Sequence, residues 1–267
     1  MIELKRSSNL VEDSKAVEVH QKAIVVDGLE PTALRYFDEE HISTLRAGGF
    51  TAVCLSATSE EILDLSQAVR EIGSWYRRFE ELGPDKVQLA TTVEKIREAK
   101  EKGVIAAIFN SQGAGFLEFD LANLKAFHRL GIRIMQPTYQ RRNQFGDGCG
   151  EKKDAGLSKL GAQWVEEMNR LHMLISLSHV GYRTSMEVME ISKDPVIFSH
   201  SNVRALCEHV RNIGDDLIKA CAEKGGVVGL CPLAGFLRVD KGPRELTVED
   251  FIDHVDYIVK LVGVNHV

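Results

Sequence analysis

Two short apolar runs that each end in Ser-His decide the fold: Leu174-Ile175-Ser176-Leu177-Ser178-His179 and Pro195-Val196-Ile197-Phe198-Ser199-His200. The two histidines lie 21 residues apart, and a helix-like stretch separates the two runs. This pattern is typical of a strand–helix–strand unit, in which the parallel strands end at the same edge of a sheet. Functional groups of α/β proteins collect at that edge. We therefore expect His179 and His200 to face one shared space.

Short apolar, β-branched runs alternate with helical patterns along the whole chain. They predict strands at residues 23–27, 50–55, 105–109, 132–136, 174–178, 196–199 and 227–231. Nearly continuous apolar character is typical of strands buried on both faces. The first run lacks the G-x-G-x-x-G turn of a dinucleotide-binding sheet. The fold class that this pattern favours is α/β, with a single (β/α)8 barrel of the TIM type.

The end of the chain bears on barrel closure. Residues 251–262 predict a helix, and residues 263–267 predict the entry to an eighth strand. A barrel without that strand would expose two sheet edges. We therefore expect residues 1–267 to form one barrel domain whose eighth strand is cut off, so that the domain is incomplete at its C-terminal end.

Local patterns give three finer expectations. Residues 87–91 predict an additional strand outside the main sheet. One apolar helical stripe comprises Ile62, Leu65, Val69, Ile72, Tyr76 and Phe79. Capping boxes are predicted at Thr58-x-x-Glu61, Thr91-x-x-Glu94, Thr184-x-x-Glu187 and Thr247-x-x-Asp250.

Composition excludes several classes of function. The net charge is −6 and the charges are mixed along the chain, which argues against a nucleic-acid partner. No apolar run is long enough for a membrane span, and the N-terminus lacks the apolar core of a signal peptide. The 5 cysteines show no C-x-x-C spacing and indicate free thiols. The sequence therefore predicts a cytoplasmic protein that acts on a small molecule.

The strand ends supply the candidate site. Gln112, Tyr139, His179 and His200 follow strands, and Arg211 lies eleven residues after the second histidine. Two neutral imidazoles at one edge are a common beginning of a transition-metal site. A guanidinium can bind a substrate carboxylate with two parallel hydrogen bonds. Two alternatives stay open: Arg211 could pair with a nearby aspartate, and Tyr139 could be a buried residue without a role in binding.

Several longer stretches resemble one known family. The chain from about Ala23 to its last residue is similar to the membrane (renal) dipeptidases, zinc metallopeptidases related to the amidohydrolase barrels. The stretches that carry the resemblance are Gly156-Leu157-Ser158 with Gly161, Glu167-Met168-Asn169-Arg170-Leu171, Leu177-Ser178-His179-Val180, Pro195-Val196-Ile197-Phe198-Ser199-His200-Ser201, Arg211-Asn212-Ile213-Gly214-Asp215-Asp216, Asp253-His254 and Val262-Gly263.

The resemblance implies a (β/α)8 barrel, a two-zinc site and hydrolysis of dipeptides. It also implies that His179 and His200 match two zinc ligands and that Arg211 matches the arginine that binds the substrate carboxylate. A dimer is a further expectation that the family suggests. The last aspartate of the family's site follows strand eight, past Val267.

Other positions depart from the family pattern. The family's H-x-D zinc ligands align with Leu29 and Pro31, its bridging glutamate aligns with Gln112, and a substrate-binding histidine aligns with Tyr139. Leucine and proline side chains cannot ligate zinc, and a neutral amide is a poor bridge between two cations. The resemblance therefore implies at most one zinc ion, held by His179 and His200 with Gln112 as a weak ligand, and a two-zinc site is not expected.

Three hypotheses follow for function. The first is a divergent dipeptidase-family hydrolase acting on an amide bond, dipeptide-like or N-acyl amino acid-like, in a small carboxylate-bearing substrate. Arg211, Tyr139 and Gln112 would bind that substrate, and His179 and His200 would be catalytic. The second is a metal-free enzyme that uses the two histidines as acid and base. The third is a non-catalytic barrel that binds a small ligand.

Overall fold

One curled parallel sheet, alternating with helices, organises the protein in the computed structural model, which describes residues 14–59, 64–240, 242 and 245–267. Its strands are β1 Val26–Glu30, β2 Ala52–Ser59, β3 Val87–Leu89, β4 Ile105–Gln112, β5 Ile132–Met135, β6 Leu174–Ser176 and β7 Val196–Ile197. Its helices are α1 Ser14–Lys22, α2 Glu39–Ala47, α3 Leu65–Leu82, α4 Val93–Lys102, α5 Ala122–Arg129, α6 Lys159–Arg170, α7 Tyr182–Ile191, α8 Asp215–Glu223, α9 Ala234–Leu237 and α10 Val248–Val262.

The strand order confirms the predicted class. All pairs are parallel, and the sheet runs β1-β2-β4-β5-β6-β7. Such an order with a helix between successive strands is that of a TIM-type barrel, curled here into a half-barrel within the described residues. The carboxyl ends of β4, β5, β6 and β7 therefore open onto the same face.

The segment at residues 87–91 forms a strand, as predicted, but its predicted place outside the main sheet is wrong. β3 pairs with the first half of β4, with Val87 opposite Ile105 and Leu89 opposite Ala107. β5 pairs with the second half of β4, from Phe109 onward. The edge of β4 is thus shared between two partners, so a short strand fits into the sheet.

The two last predicted strands are only partly realised. Residues 227–231 do not form a regular strand, although Val228 bridges Phe198 in parallel and Gly229 N–H donates to the Phe198 carbonyl at 2.7 Å. Residues 263–267 contain a 3₁₀ turn, Val264–His266, whose His266 carbonyl accepts from Val228 N–H at 3.0 Å. Residues 263–267 therefore form no strand themselves, but they are hydrogen-bonded to the segment of the seventh predicted strand.

Side chains on β4 alternate between two apolar clusters. Phe109 is fully buried on the helix side, where its ring stacks on Phe79 of α3 at 5.6 Å between centroids. Ile108 points to the other face and packs with Cys54 and Ile134. This period-2 alternation places Asn110 and Gln112, at the end of the strand, on the same face as Ile108, toward the barrel axis.

The apolar stripe of α3 is rotated from its predicted position. Ile72 and Phe79 are buried as expected, but Val69 is 45% exposed and Tyr76 is 37% exposed. Trp75 is buried in their place. The predicted Ile62 lies outside the described residues. Tyr76 keeps a structural role, since its hydroxyl donates to the Leu130 carbonyl at 3.1 Å.

The last predicted capping box is present. Thr247 accepts the backbone N–H of Asp250, whose carboxylate accepts that of Thr247. The predictions at Thr91 and Thr184 are wrong, because Thr92 caps α4 and Thr184 lies inside α7. The box predicted at Thr58-x-x-Glu61 includes Glu61, which lies outside the described residues.

Two compositional expectations have structural counterparts. The cysteines at positions 54, 149, 207, 221 and 231 are free thiols, as predicted. Within the part of the chain that the structure describes, no helix combines the length and the apolar character that crossing a membrane requires.

Candidate active site

His179 and His200 meet at the carboxyl edge of the sheet, as the two Ser-His runs predict. Each ring follows its strand by three residues, after β6 and β7 respectively. Their Nε2 atoms are 2.8 Å apart, and both residues are buried. The distance is that of a hydrogen bond, so one ring donates to the other. The two imidazoles form a pair rather than two independent groups.

The partners of the two Nδ1 atoms indicate which imidazole ring donates its Nε2 proton to the other. Ser199 Oγ lies 2.8 Å from His200 Nδ1 and 2.8 Å from Ser176 Oγ, whereas His179 Nδ1 is buried with no partner. If His200 donated from Nε2, the ring proton of His179 would lie on Nδ1, where it has no acceptor. A buried donor without a partner costs more free energy than a buried acceptor without one. The favoured order has His179 Nε2–H donating to His200, and His200 Nδ1–H donating to Ser199.

Both rings are neutral at physiological pH. Burial and, second to it, the nearby Arg211 guanidinium lower the pKa of His200 to about 3. Burial also lowers the pKa of His179 strongly, followed by the charge of Arg211 and by His200. Neutral imidazole is the form that accepts a proton or ligates a metal.

The backbone of His179 has a left-handed conformation that is uncommon outside glycine, with φ of 70°. Its carbonyl accepts two N–H groups from the loop after β5, Cys149 N at 2.8 Å and Gln140 N at 3.2 Å. Gln140 itself has φ of 61°. Positive φ at bulky residues is typical of functional sites, where surrounding contacts hold the strained backbone.

Arg211 is buried behind the histidine pair and does not pair with the aspartates that follow it. Its Nη2 donates to the His200 carbonyl at 3.0 Å, and its guanidinium carbon lies 5.4 Å from the centre of the Phe236 ring. Asp215 instead accepts from the Tyr257 hydroxyl at 3.0 Å and, with Asp216, begins α8. The Nε of Arg211 is buried without a partner, which leaves a donor for a ligand.

Tyr139 and Gln112 complete the predicted set. The Tyr139 ring stacks on that of His179 with centroids 4.1 Å apart. Gln112 ends β4, and its Nε2 donates to Ser56 Oγ at 2.7 Å. Both residues line the same cavity as the histidines. The structure thus brings together all five residues that the sequence singled out, while their individual roles stay predictions.

One cavity of about 580 Å³, which we call the inner cavity, contains this set. Its other lining residues are Asp27, Leu29, Pro31, Gln140, Ser199, Leu230, Cys231, Pro232, Leu233 and Phe236. Burial raises the pKa of Asp27, a rise that a hydrogen bond from Leu29 N–H opposes. Much of the remaining lining is apolar, and the size suits a small organic molecule.

These residues do not fit a two-zinc centre. Leu29 and Pro31 face the cavity where the resemblance implies ligands, and the Gln112 amide nitrogen is bound to Ser56. Among the described residues no group of three His, Cys, Asp or Glu side chains could hold a metal ion. His179 and His200 would be the residues to hold a single ion, which would have to replace the hydrogen bond between their Nε2 atoms and would polarise a substrate carbonyl.

Comparison with known proteins decides the family. The family model for the membrane dipeptidases, peptidase family M19, matches residues 4–267. The chain belongs to the membrane dipeptidase family. A dipeptidase of Schizosaccharomyces pombe, described as uncharacterised, is 35% identical over 178 residues, which is 65% of this chain and 42% of that protein. A dipeptidase of Claviceps purpurea is 30% identical over 192 residues, 71% of this chain and 45% of that protein. The chain thus spans about half the length of these curated relatives.

Solved structures share the barrel. An amidohydrolase from Pseudomonas aeruginosa superposes with a TM-score of 0.83 at 32% identity, covering 92% of this chain and 73% of that one. A dipeptidase AC, a metallopeptidase of family M19, gives 0.80 at 25% identity, covering 90% and 81%. The TIM-type barrel expected from the sequence is confirmed.

Sequence reasoning missed the serine pair beneath the histidines. Ser176 and Ser199 lie on β6 and just after β7, and their hydroxyl groups are hydrogen-bonded to each other in the interior. The sequence contains a signal for this pair, because Ser176 is a polar residue in an otherwise apolar strand. It lies two residues before Ser178, so that both side chains are on the same face. An isolated serine in a buried strand needs a partner, and the partner lies on the neighbouring strand.

Proposed function

We propose that the protein hydrolyses an amide bond in a small carboxylate-bearing compound, either dipeptide-like or N-acyl amino acid-like. The observation that carries this proposal is the meeting of two neutral imidazoles, 2.8 Å apart, in the cavity that the buried Arg211 also lines. Membership of the dipeptidase family supports amide hydrolysis as the reaction.

The residues suggest a division of roles. Arg211, through its unpartnered Nε, binds the substrate carboxylate, and Tyr139 and Gln112 orient the rest of the molecule. One of the two neutral imidazoles accepts a proton from the attacking water, and the pair then donates a proton to the leaving amine, so that the amide bond breaks into an acid and a free amine. Because Arg211 lowers the pKa of both rings, a carboxylate bound to it would offset that effect and make the imidazoles better bases.

We propose at most one metal ion, on His179 and His200, with Gln112 or water completing its ligands. Two imidazoles bind zinc more weakly than a site of three histidines or of histidines and carboxylate. A metal-free enzyme with the two histidines as acid and base is the second candidate, and the direct hydrogen bond between their Nε2 atoms favours it.

Metal analysis together with an activity screen tests the proposal. The purified chain and the His179→Ala, His200→Ala double variant are analysed for bound metal after exposure to zinc. Both are then screened against dipeptides and N-acyl amino acids, with zinc and with a chelator. About one equivalent of zinc and amide cleavage, both lost in the double variant, is the expected result.

Other outcomes have distinct meanings. Turnover that is unimpaired in chelator supports the metal-free enzyme. Binding of a carboxylate ligand without turnover on any substrate of the screen would contradict the hydrolase and leave a binding protein. Assembly as a homodimer and a cytoplasmic location stay predictions, which sedimentation and fractionation of cells would test.

A further inference from the structure

A second cavity, of about 300 Å³, lies against the inner cavity and shares only His179 and Arg211 with it. We call it the outer cavity. Its remaining wall includes Cys149 and Arg204 together with the start of α7. The residues proposed above to bind substrate, Tyr139 and Gln112, do not line it. Arg211 therefore separates two spaces of different chemistry.

Two guanidinium groups reach this cavity with buried donors that nothing satisfies. Arg211 is only 3% exposed, and its Nε has no hydrogen-bond partner. Arg204 is half-buried, and its Nε is likewise buried without a partner. A buried charged donor without an acceptor is costly, so native sites of this kind are satisfied by a ligand, an ion or water.

The small size of the outer cavity brings the two charges close to any ligand inside it. Arg204 and Arg211 both line this cavity, whose volume is only about 300 Å³. An anion in the cavity would therefore interact favourably with both guanidinium groups.

Three carboxylates also line the outer cavity, but none contacts its two arginines. Asp154 accepts the backbone N–H groups of Arg183 and Gly156, and Glu151 accepts that of Arg142. Glu208 is exposed to solvent. In the described part of the chain, no carboxylate forms an ion pair with either Arg204 or Arg211. The two guanidinium groups therefore have no anionic partner in direct contact.

We propose that the outer cavity is a binding site for a small oxyanion of the phosphate type, held between Arg204 and Arg211. Tetrahedral oxyanions accept several hydrogen bonds at once, and arginine is the side chain that matches them best. A cavity of about 300 Å³ has room for such an anion with bound water.

The position of Arg211 couples the two cavities. An oxyanion in the outer cavity and a carboxylate in the inner cavity would both draw on the same guanidinium. Each ligand therefore lowers the affinity for the other, and the effect is reciprocal. The oxyanion would act as a negative effector of carboxylate binding.

Thermal unfolding with inorganic phosphate tests this site. Phosphate is titrated against sodium chloride at matched ionic strength into the unmodified chain, the Arg204→Ala variant and an Arg183→Ala control. Arg183 is an exposed neighbour that pairs with Glu187 and does not line the outer cavity. Phosphate is expected to raise the Tm of the unmodified chain and the control, with an apparent affinity at least tenfold weaker in Arg204→Ala.

Two results would overturn the proposal: no rise in Tm with phosphate, or equal rises in all three proteins. If Arg204→Ala does not fold, Arg204→Gln keeps most of the side-chain volume without the charge and is expected to show the same tenfold loss. Because the measurement follows binding and not turnover, it stands even if the amide hydrolase proposed above proves inactive.

Discussion

Arg211 is the residue on which recognition of a substrate depends most. It is buried, it donates a hydrogen bond to the His200 carbonyl, and its Nε has no protein partner. Together with burial, which is the larger cause, its charge lowers the pKa of both imidazoles and favours their neutral forms. Charge, position and the missing partner together make it the anchor for a carboxylate.

Replacing Arg211 by alanine is expected to weaken carboxylate binding by about 2–3 kcal/mol, on the order of 30- to 150-fold in Kd, since a buried charged partner is lost. Arg211→Lys should recover part of the affinity because it keeps the charge but not the fork. Calorimetry with the best carboxylate compound of the substrate screen measures both. Equal affinity of all three proteins would contradict the assignment, and circular dichroism checks that the variants fold.

The histidine pair predicts a loss of stability in mild acid. The pKa of both rings is lowered in the folded state, and that of His200 falls to about 3, so only the unfolded chain binds these protons below about pH 6.5. Their contribution to stability is complete above that pH and is lost as the pH falls toward 3. The free energy of unfolding should drop by about 1.4 kcal/mol per pH unit for each ring.

Urea unfolding between pH 7 and 5 measures that slope. The double variant His179→Gln, His200→Gln lacks both titrating rings and should show a shallower decline. The same slope in both proteins would mean that other groups account for the acid sensitivity.

Single-residue reasoning from the sequence identifies the five candidate residues but not their contacts. Strand ends place His179 and His200 on one edge, which is a consequence of topology. The contact between the two Nε2 atoms depends on the positive φ of His179. Hydrogen bonds from the loop after β5, which is distant in sequence, maintain this conformation. No local pattern encodes such a conformation at a histidine.

At the scale of helices, capping decides where α10 begins. Thr247 and Asp250 exchange hydrogen bonds across the first turn, and the helix carries Tyr257, which donates to Asp215 at the start of α8. A shift of α10 would therefore also disturb α8. The cap therefore helps to fix the positions of α8 and α10, the helices linked by this hydrogen bond after Arg211 in the chain.

Thr247→Ala is expected to lower the free energy of unfolding by about 1 kcal/mol, because the backbone N–H of Asp250 loses its acceptor. Chemical denaturation measures the change. Thr91→Ala serves as the control, because Thr92 and not Thr91 caps α4, and it should have little effect. A loss as large in the control would show that the effect is not one of capping.

The capping box predicted at Thr184 fails because a residue distant in sequence caps α7. The Thr-x-x-Glu pattern reports a local preference, whereas tertiary partners can satisfy the same N–H groups. At α7 the carboxylate of Asp154, distant in sequence, accepts the N–H groups of Arg183 and Thr184. The helix can therefore begin before Thr184, and the local pattern has no effect on its start.

At the scale of the whole barrel, Gly28 of β1 and Gly229, which follows α8, both lie close to the backbone carbonyl of Ser199. A Cβ at Gly28 would lie 2.5 Å from Ser199 O, and a Cβ at Gly229 would lie 2.3 Å from it. Both distances are shorter than side chains tolerate. The backbone next to His200 is thus held between two glycines on opposite sides.

Gly28→Ala should force this backbone to move, with a cost of about 1–3 kcal/mol in the free energy of unfolding and a loss of ligand binding at the histidine pair. Gly73→Ala is the matched control, since a Cβ on that helical glycine meets nothing within 4 Å and should be neutral or stabilising. Denaturation and ligand titration on both variants give the comparison. Full ligand affinity in Gly28→Ala would contradict the prediction.

The alternation of strand and helix patterns in the sequence predicts the barrel class. It does not predict much of the curvature of the sheet. The sequence predicts the parallel order because each apolar run is followed by a helix. It does not predict that β3 shares an edge with β5, since that depends on how much of β4 each strand covers. Nor does it predict the irregular pairing of Val228, which arises where the strands bend.

The left-handed backbone of His179 has one further consequence, for chemical rescue. Only glycine adopts a φ of 70° without strain, so His179→Gly should relax the backbone while removing the ring. The space left between Tyr139 and His200 has the shape of an imidazole. Free imidazole in the buffer should occupy it and restore the lost hydrogen bond to His200, making the site dependent on an added small molecule.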